Sequence, residues 1–586
     1  MTEKTYIKGK DSDLESSIKT MRQKLHNVGI NVEASSVLNP VPYVHSLHIH
    51  DSDYRMMFTN GKGACALSCE ASALGEYFER LSCNYFFADY YLGEKFANAD
   101  FVHYPNEKWF EYEEDDEMPE GLLDEGLWSY YDPENELDPC EIFDTNSGAG
   151  ERGICALPFQ RLRDKKDVYF PVNIIGNLYV SNGMAAGNTK EEARVQALSE
   201  IFERYAKNKI IAEGICLPLI PQEVLNRFPH IQKSIKTLEE KGFHLRICDA
   251  SLGGLYPVIS VTLINPKDGS VLASFGAHPC FEIALERTVT ELLQGRSLDM
   301  LNDFHAPSFN LDEVSDPNNL EEHFINSTGL IAYDFFKQDS DYSFVDWNYD
   351  SNTADELDNL TQIIHDNDFD IYVADYNHLG VYACRIIVPG MSDIYPVEDL
   401  QWSNNNEGAL FREAILNLKN LDTQDWQELF ESLEEGSHND MHPVAEFIGI
   451  VPDANTPWSK LRIGELKSML ALAIGDTDLA KEWNTWSLHT LDLDEKATLY
   501  HRCLDVMLEI KLDSDKEFKD YAKSLVQMYG EDTLQLCVDI INKKEKFFGL
   551  HSPGLSLEGF INHNKLLEAY AKVHKAKELY YTSINM

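Results

Sequence analysis

Two segments of the chain are versions of one another, and they limit its fold more than any other feature. Ala71-Ser-Ala-Leu-Gly-Glu-Tyr-Phe-Glu-Arg80 returns as Val195-Gln-Ala-Leu-Ser-Glu-Ile-Phe-Glu-Arg204. Each copy follows a glycine-containing stretch opened by Asn-Gly: Thr59-Asn-Gly-Lys-Gly63 in the first and Ser181-Asn-Gly-Met-Ala-Ala-Gly187 in the second. A shared turn leading into a shared helix implies two copies of one structural unit. At about 100° per residue, Leu74, Tyr77, Phe78 and Leu81 share one side of the first helix, as Leu198, Ile201, Phe202 and Tyr205 do in the second. These are core faces at i, i+3, i+4, i+7 spacing.

The opposite faces carry the chemistry. Ser72, Glu76 and Glu79 align in the first copy; Gln196, Glu200 and Glu203 align in the second, with Glu192 further back. A third stretch, predicted helical over 282–294, turns Leu285, Val289 and Leu292 inward and aligns Arg287, Glu291 and Gln294 at the same spacing. Glutamates opposite an apolar face are usually solvated, and the pairs Glu76–Arg80 and Glu200–Arg204 give about 0.3–0.5 kcal/mol each as ordinary i, i+4 contacts. That reading leaves the like-charge neighbours Glu79 and Glu203 unexplained in both copies. If the duplicated helices pack as pseudo-symmetric partners, their carboxylates face one cleft and repel each other unless cations occupy it.

Oxygen ligands without cysteine or paired histidine favour a hard ion, Mg²⁺ or Ca²⁺. Mg²⁺ commonly bridges carboxylates to phosphates. Arg204 and Arg287 can contact phosphate oxygens, and glycine-containing turns at helix starts offer backbone N–H groups to the same anion. Together these describe a nucleotide site, though neither G-x-x-x-x-G-K-[ST] nor G-x-G-x-x-G opening a βαβ unit is present. Gly61-Lys-Gly63 reads as part of the turn, and His48 and His50, on one face of a strand, read as ordinary core or surface histidines. No G-x-S-x-G elbow occurs.

Composition narrows the partners. With 98 Asp+Glu against 50 Lys+Arg, the formal net charge is −48. That opposes non-specific nucleic-acid binding, which needs a basic footprint, and disfavours anionic membranes. No run approaches a membrane span, no secretory signal opens the chain, and the eleven cysteines form no C-x-x-C. A cytoplasmic protein with reduced thiols is expected.

The chain divides into two regimes. β-rich runs at 168–175, 255–264, 271–275 and 371–376 alternate with helical stretches up to about residue 400. Beyond the polar link Ser403-Asn-Asn-Asn-Glu, helical periodicity dominates, as at 499–510 and 533–541. An α/β (α+β) core over 1–400, with an exposed acidic loop near 107–126, precedes an all-helical C-terminal domain over 405–586, expected to serve interaction or dimerisation. Its helix pairs suit TPR-like stacking, though no repeat of fixed length is evident.

The combined motifs resemble the YcaO family: Ser72-x-x-x-Glu76-x-x-Glu79-Arg80, then Gly187-Asn-Thr, Glu192 and Glu200-x-x-Glu203-Arg204, then Arg287-x-x-x-Glu291-x-x-Gln294. The resemblance runs from the opening Gly9-Lys-Asp to the final helices. It implies a YcaO-type ATP-binding core with Mg²⁺ held between the glutamate helices. Glu76, Glu79, Glu200 and Glu203 match the metal-binding glutamates, with Glu192 and Glu291 as additional ligands. Lys10, Ser17, Ser72, Asn188, Arg204 and Arg287 match positions that contact the nucleotide; no catalytic residue is assigned.

Members of that family activate a peptide amide oxygen with ATP, forming azolines or thioamides. A stand-alone member serves as accessory factor in β-methylthiolation of an aspartate on a small-subunit ribosomal protein, with a radical-SAM methylthiotransferase as partner. The resemblance places this chain nearest that accessory role, as a homodimer, with slow ATP hydrolysis or amide or carboxyl activation. Ring-forming members end in a proline-rich tail, and this chain has no proline after Pro553, which counts against azoline formation. The alternatives are a cyclodehydratase or thioamide-forming enzyme, a non-catalytic nucleotide-binding scaffold, and a plain Ca²⁺-binding structural protein.

Overall fold

Among the described residues the named strands all pair antiparallel, parallel contacts being limited to isolated bridges such as Leu122–Tyr169, which makes the core α+β, with helices lying against antiparallel sheets. The computed structural model describes residues 4–112, 118–148, 150–302, 304–398, 406–436 and 438–584. The acidic run at 113–117 and link residues 403–405 therefore lie outside the described residues.

Three sheets organise the core. β1 (Val32–Val41), β2 (Val44–Asp51) and β3 (Phe58–Gly63) form one in chain order; β8 (His244–Asp249), β9 (Val258–Ile264) and β10 (Val271–Ala277) form a second. The third runs β4 (Lys108–Phe110), β5 (Ile154–Arg161), β11 (Tyr372–Tyr376), β12 (Tyr382–Ile387), β7 (Met184–Gly187), with β6 (Asp167–Pro171) on β5. After α1 (Leu14–Asn27), three helices each follow a strand and fold back on it: α2 (Ala66–Ser82) on β3, α3 (Lys190–Glu213) on β7 and α4 (Phe281–Leu292) on β10. Leu74, Tyr77, Phe78 and Leu81 of α2 and Leu198, Ile201 and Phe202 of α3 are fully buried, while Tyr205 sits at the core margin, edge-on to Tyr256.

Two local features differ from the sequence expectation. The Asn60-Gly61 stretch lies within β3 and is no turn, because pairing with β2 holds it extended. Its glycine serves close approach: a Cβ on Gly61 would lie 2.2 Å from the Cys69 carbonyl oxygen and 2.6 Å from the Ala73 nitrogen of α2. The corresponding Gly183 does sit in a turn, at φ +74°, a conformation that suits glycine. The strand expected over 168–175 ends at Pro171, where a buried helix, Val172–Tyr179, begins; proline at its N-cap lacks the N–H that a continuing ladder needs.

From Gly408 onward no strand occurs among the described residues. The helices Ile463–Ile474, Thr477–Thr490 and Glu495–Leu512 pack one on the next around a core including Trp426, Leu466 and Leu504. The last helix, α5 (Ile561–Ile584), leaves that group and returns to the N-terminal body. Its Tyr570 packs edge-on to Phe87 and Phe96, and its buried Lys577 donates to the His103 carbonyl at 2.8 Å. No helix among the described residues is long and apolar enough to cross a membrane.

Candidate functional site

The polar stripes of α2, α3 and α4 open onto one cavity of about 1580 Å³. It brings together all twelve side chains singled out in the sequence: the six glutamates and Lys10, Ser17, Ser72, Asn188, Arg204 and Arg287. Helical period explains the local alignment; the three strand-to-helix folds explain why distant segments meet.

The carboxylates are unevenly partnered. Glu76 pairs with Arg80 at 2.7 Å and Glu200 with Arg204 at 3.0 Å, each across one helical turn. Glu291 pairs with the Lys62 ammonium. Glu79 and Glu203 have no ion-pair partner within 4 Å among the described residues. Burial, followed by the charges of Glu200 and Glu76, holds Glu79 well above the usual carboxylate range. Burial also pushes Glu76 up, though Arg80 and Lys62 oppose it. Glu79 and Glu203, oxygen donors crowded by neighbouring carboxylates and without an ion pair of their own among the described residues, are what fits divalent cations here.

Glu192 has a different setting. It is 3% exposed and accepts from the Asp11 backbone N–H at 2.9 Å and from Asn188 Nδ2 at 3.1 and 2.9 Å, while Lys10 Nζ lies 3.2 Å away. Burial works to raise its pKa, but Lys10 and these hydrogen bonds prevail and hold it low. Ser17 Oγ donates to Asn188 Oδ1 at 2.8 Å. The N-terminal segment is further tethered by Lys8 to Glu282 at 2.9 Å. Lys10, Ser17, Asn188 and Glu192 thus form one network at the entrance to α3, distinct in its partners from the other five glutamates.

On the remaining wall, Arg287 Nη1 donates to Gln196 Oε1 at 2.9 Å. Gln294, expected within the third helix, lies beyond its end at Leu292 and donates to the Asn60 carbonyl at 2.7 Å, tying α4 to β3. Arg204 also lies over the Phe324 ring at 4.5 Å.

Three cavity residues escaped the sequence reading. Lys62 faces the glutamates from β3; burial lowers its pKa against the opposing charges of Glu203, Glu76 and Glu200. Its signal was the lysine between two glycines, which reads more simply as turn chemistry. His278 is kept neutral by burial, with Arg287 and Lys10 adding to the shift. Lys207 donates to Ser327 Oγ at 3.0 Å, and burial, aided by Arg204, lowers it from 10.5 to about 7.

The Lys207 shift has a defined consequence for stability. Between about 7 and 10.5 the unfolded chain holds a proton on Lys207 that the folded chain has lost, so this group makes stability rise with pH across that window. Thermal melts of wild type and Lys207→Met from pH 6 to 10 should show wild type gaining on the variant above pH 7, with no relative gain below it.

The chain is similar to known proteins along most of its length. Residues 408–579 match the model of the YcaO cyclodehydratase C-terminal domain. The chain is 52% identical over 582 residues to the Escherichia coli ribosomal protein S12 methylthiotransferase accessory factor YcaO, covering 98% of this chain and 99% of that one. It is also 52% identical over 583 residues to an uncharacterized protein of Haemophilus influenzae, covering 99% of both. A YcaO structure from Methanopyrus kandleri, bound with AMPPCP and Mg²⁺, aligns with TM-score 0.40 and 17% identity over 67% of this chain and 95% of that one. Residues 60–392 match the family model described as YcaO cyclodehydratase, ATP- and Mg²⁺-binding, and the chain belongs to that family.

Proposed function

We propose that the chain binds ATP with Mg²⁺ in this cavity and serves as accessory factor in β-methylthiolation of an aspartate on a small-subunit ribosomal protein. The observation that carries the proposal is the convergence of Glu76, Glu79, Glu200, Glu203 and Glu291 from three helices on one cavity that also holds Arg204 and Arg287. Near-full-length identity to an accessory factor supports the role.

The five glutamates would hold Mg²⁺, with Arg204 and Arg287 steadying phosphate oxygens. Lys10, Ser17, Ser72 and Asn188 would hold the remainder of the nucleotide. In this reading Glu192 anchors Lys10 and Asn188 and reaches a metal only by releasing them. When bound, Mg²⁺ and ATP supply phosphoryl transfer that activates an amide or carboxyl oxygen, a chemistry resting on positioning and charge neutralisation. At about 1580 Å³ the cavity exceeds the roughly 300–1,000 Å³ common for one small ligand, leaving room for an acceptor. The charge of −48 suits a basic ribosomal protein as partner.

Calorimetry with Mg²⁺, with ATP and with both tests this reading. Weak binding of each alone and tight binding together is expected, because each neutralises what repels the other. Metal binding that ignores ATP would instead indicate a structural cation site.

A further inference from the structure

We infer that His103, Asp144 and Cys155 form a second metal site, for a zinc-type cation, buried between the six-stranded sheet and α5. His103 lies in the loop before β4, Asp144 follows the short turn Pro139–Ile142, and Cys155 stands on β5 opposite Trp109. Their donor atoms all lie within 4.8 Å of one another. The residues are 3%, 2% and 1% exposed. None of them lines the glutamate cavity.

Two observations separate this cluster from an ordinary buried ion pair. His103 Nε2 lies 3.5 Å from Asp144 Oδ1 and has no hydrogen-bond partner among the described residues. A charge-assisted bond would close to about 2.7–2.9 Å. Two ligands on a tetrahedral zinc ion, with bonds near 2.0–2.1 Å, stand about 3.3 Å apart, which is nearer to what is found.

The surroundings hold the donors in place. Ser147 donates to Asp144 through its N–H at 2.7 Å and its hydroxyl at 2.8 Å. Glu107 accepts from the backbone N–H groups of Val102, His103 and Tyr104, fixing the loop that presents the imidazole. Lys577 of α5 grips the His103 carbonyl at 2.8 Å. Such outer contacts are what a metal site uses to orient its ligands.

The donor set decides the ion. One nitrogen, one oxygen and one sulfur suit zinc and not Mg²⁺ or Ca²⁺. Binding replaces the Cys155 S–H proton, which leaves to solvent, with an S–metal bond. A thiolate, a carboxylate and a neutral imidazole then cancel the dication, so the buried cluster carries no net charge. The site would be loaded during folding and would pin the loop, β5 and α5 together.

The test uses the untagged full chain, expressed with added zinc and purified without chelator. Elemental analysis should find about one zinc per chain, unchanged in Glu200→Ala and reduced at least tenfold in Cys155→Ser and His103→Gln. Refolding wild type with Co²⁺ should give a thiolate-to-cobalt charge-transfer band, which decides the matter even if the variants do not fold. Zinc retained by folded Cys155→Ser would overturn the inference. So would wild type with neither stoichiometric zinc nor the cobalt band.

Discussion

Glu200→Ala should abolish Mg²⁺-dependent ATP binding while leaving the fold intact. Glu200 stands half-buried on the cavity side of α3, where its Oε1 accepts from Arg204 Nε at 3.1 Å and Nη2 at 3.0 Å. Its charge is also the largest electrostatic contribution raising Glu79. Truncation removes a metal ligand and releases the arginine expected to meet phosphate. Losing even a group behind a ligand typically costs 10–100-fold in metal affinity, so losing the ligand should cost about 100-fold or more. The ligand-free variant should melt no lower than wild type, because like-charge repulsion is relieved and no core atom is lost. The check is calorimetric affinity for ATP in Mg²⁺, the melting shift on adding both, and ATP turnover. Unchanged affinity would remove Glu200 from the site; lost binding with normal complementation of the ribosomal modification would make ATP dispensable to that role.

Gly61→Ala should be among the most damaging single-methyl additions in the core. The new Cβ would meet the Cys69 carbonyl oxygen at 2.2 Å, the Ala73 nitrogen at 2.6 Å and the Ala73 Cβ at 2.7 Å. Two of these are backbone atoms of α2, so no side chain can swing aside and the whole helix must move off β3. Overpacking of this kind costs about 1–3 kcal/mol and sometimes more. The displaced helix carries Glu76 and Glu79, so nucleotide binding should fall with stability. Gly176→Ala is the control: it lies within the helix Val172–Tyr179, a Cβ there meets nothing within 4 Å, and helix propensity alone should stabilise by up to about 1 kcal/mol. Denaturant unfolding of both variants checks the contrast. A Gly61→Ala protein as stable as wild type would mean that α2 does not lie this close to β3.

These two substitutions mark what the sequence could and could not reveal. The apolar and glutamate faces of α2 and α3 were legible because helical period is local: residues within a few positions fix which side is which. Residue 61 was misread because Asn-Gly-Lys-Gly has turn chemistry, and only pairing with β2 makes it a strand. The break at Pro171 was missed because Val172, Ile174 and Ile175 suit a buried strand as well as a buried helix. Within the cavity, Lys62 meets Glu291 across most of the core's length, a pairing set by packing that no periodicity announces. Lys10 and Ser17 came only from family resemblance. Their placement depends on Glu192 and Asn188 capturing a segment far away in the chain.

The central claim is that carboxylates from α2, α3 and α4 jointly hold divalent metal on a nucleotide. Anomalous diffraction from crystals grown with Mn²⁺ and a non-hydrolysable ATP analogue tests it most directly. Metal peaks are expected within coordination distance of Glu76 or Glu79, of Glu200 or Glu203, and of Glu291, with the Lys62 ammonium withdrawn from Glu291. Nucleotide bound with every metal peak remote from these carboxylates would contradict it.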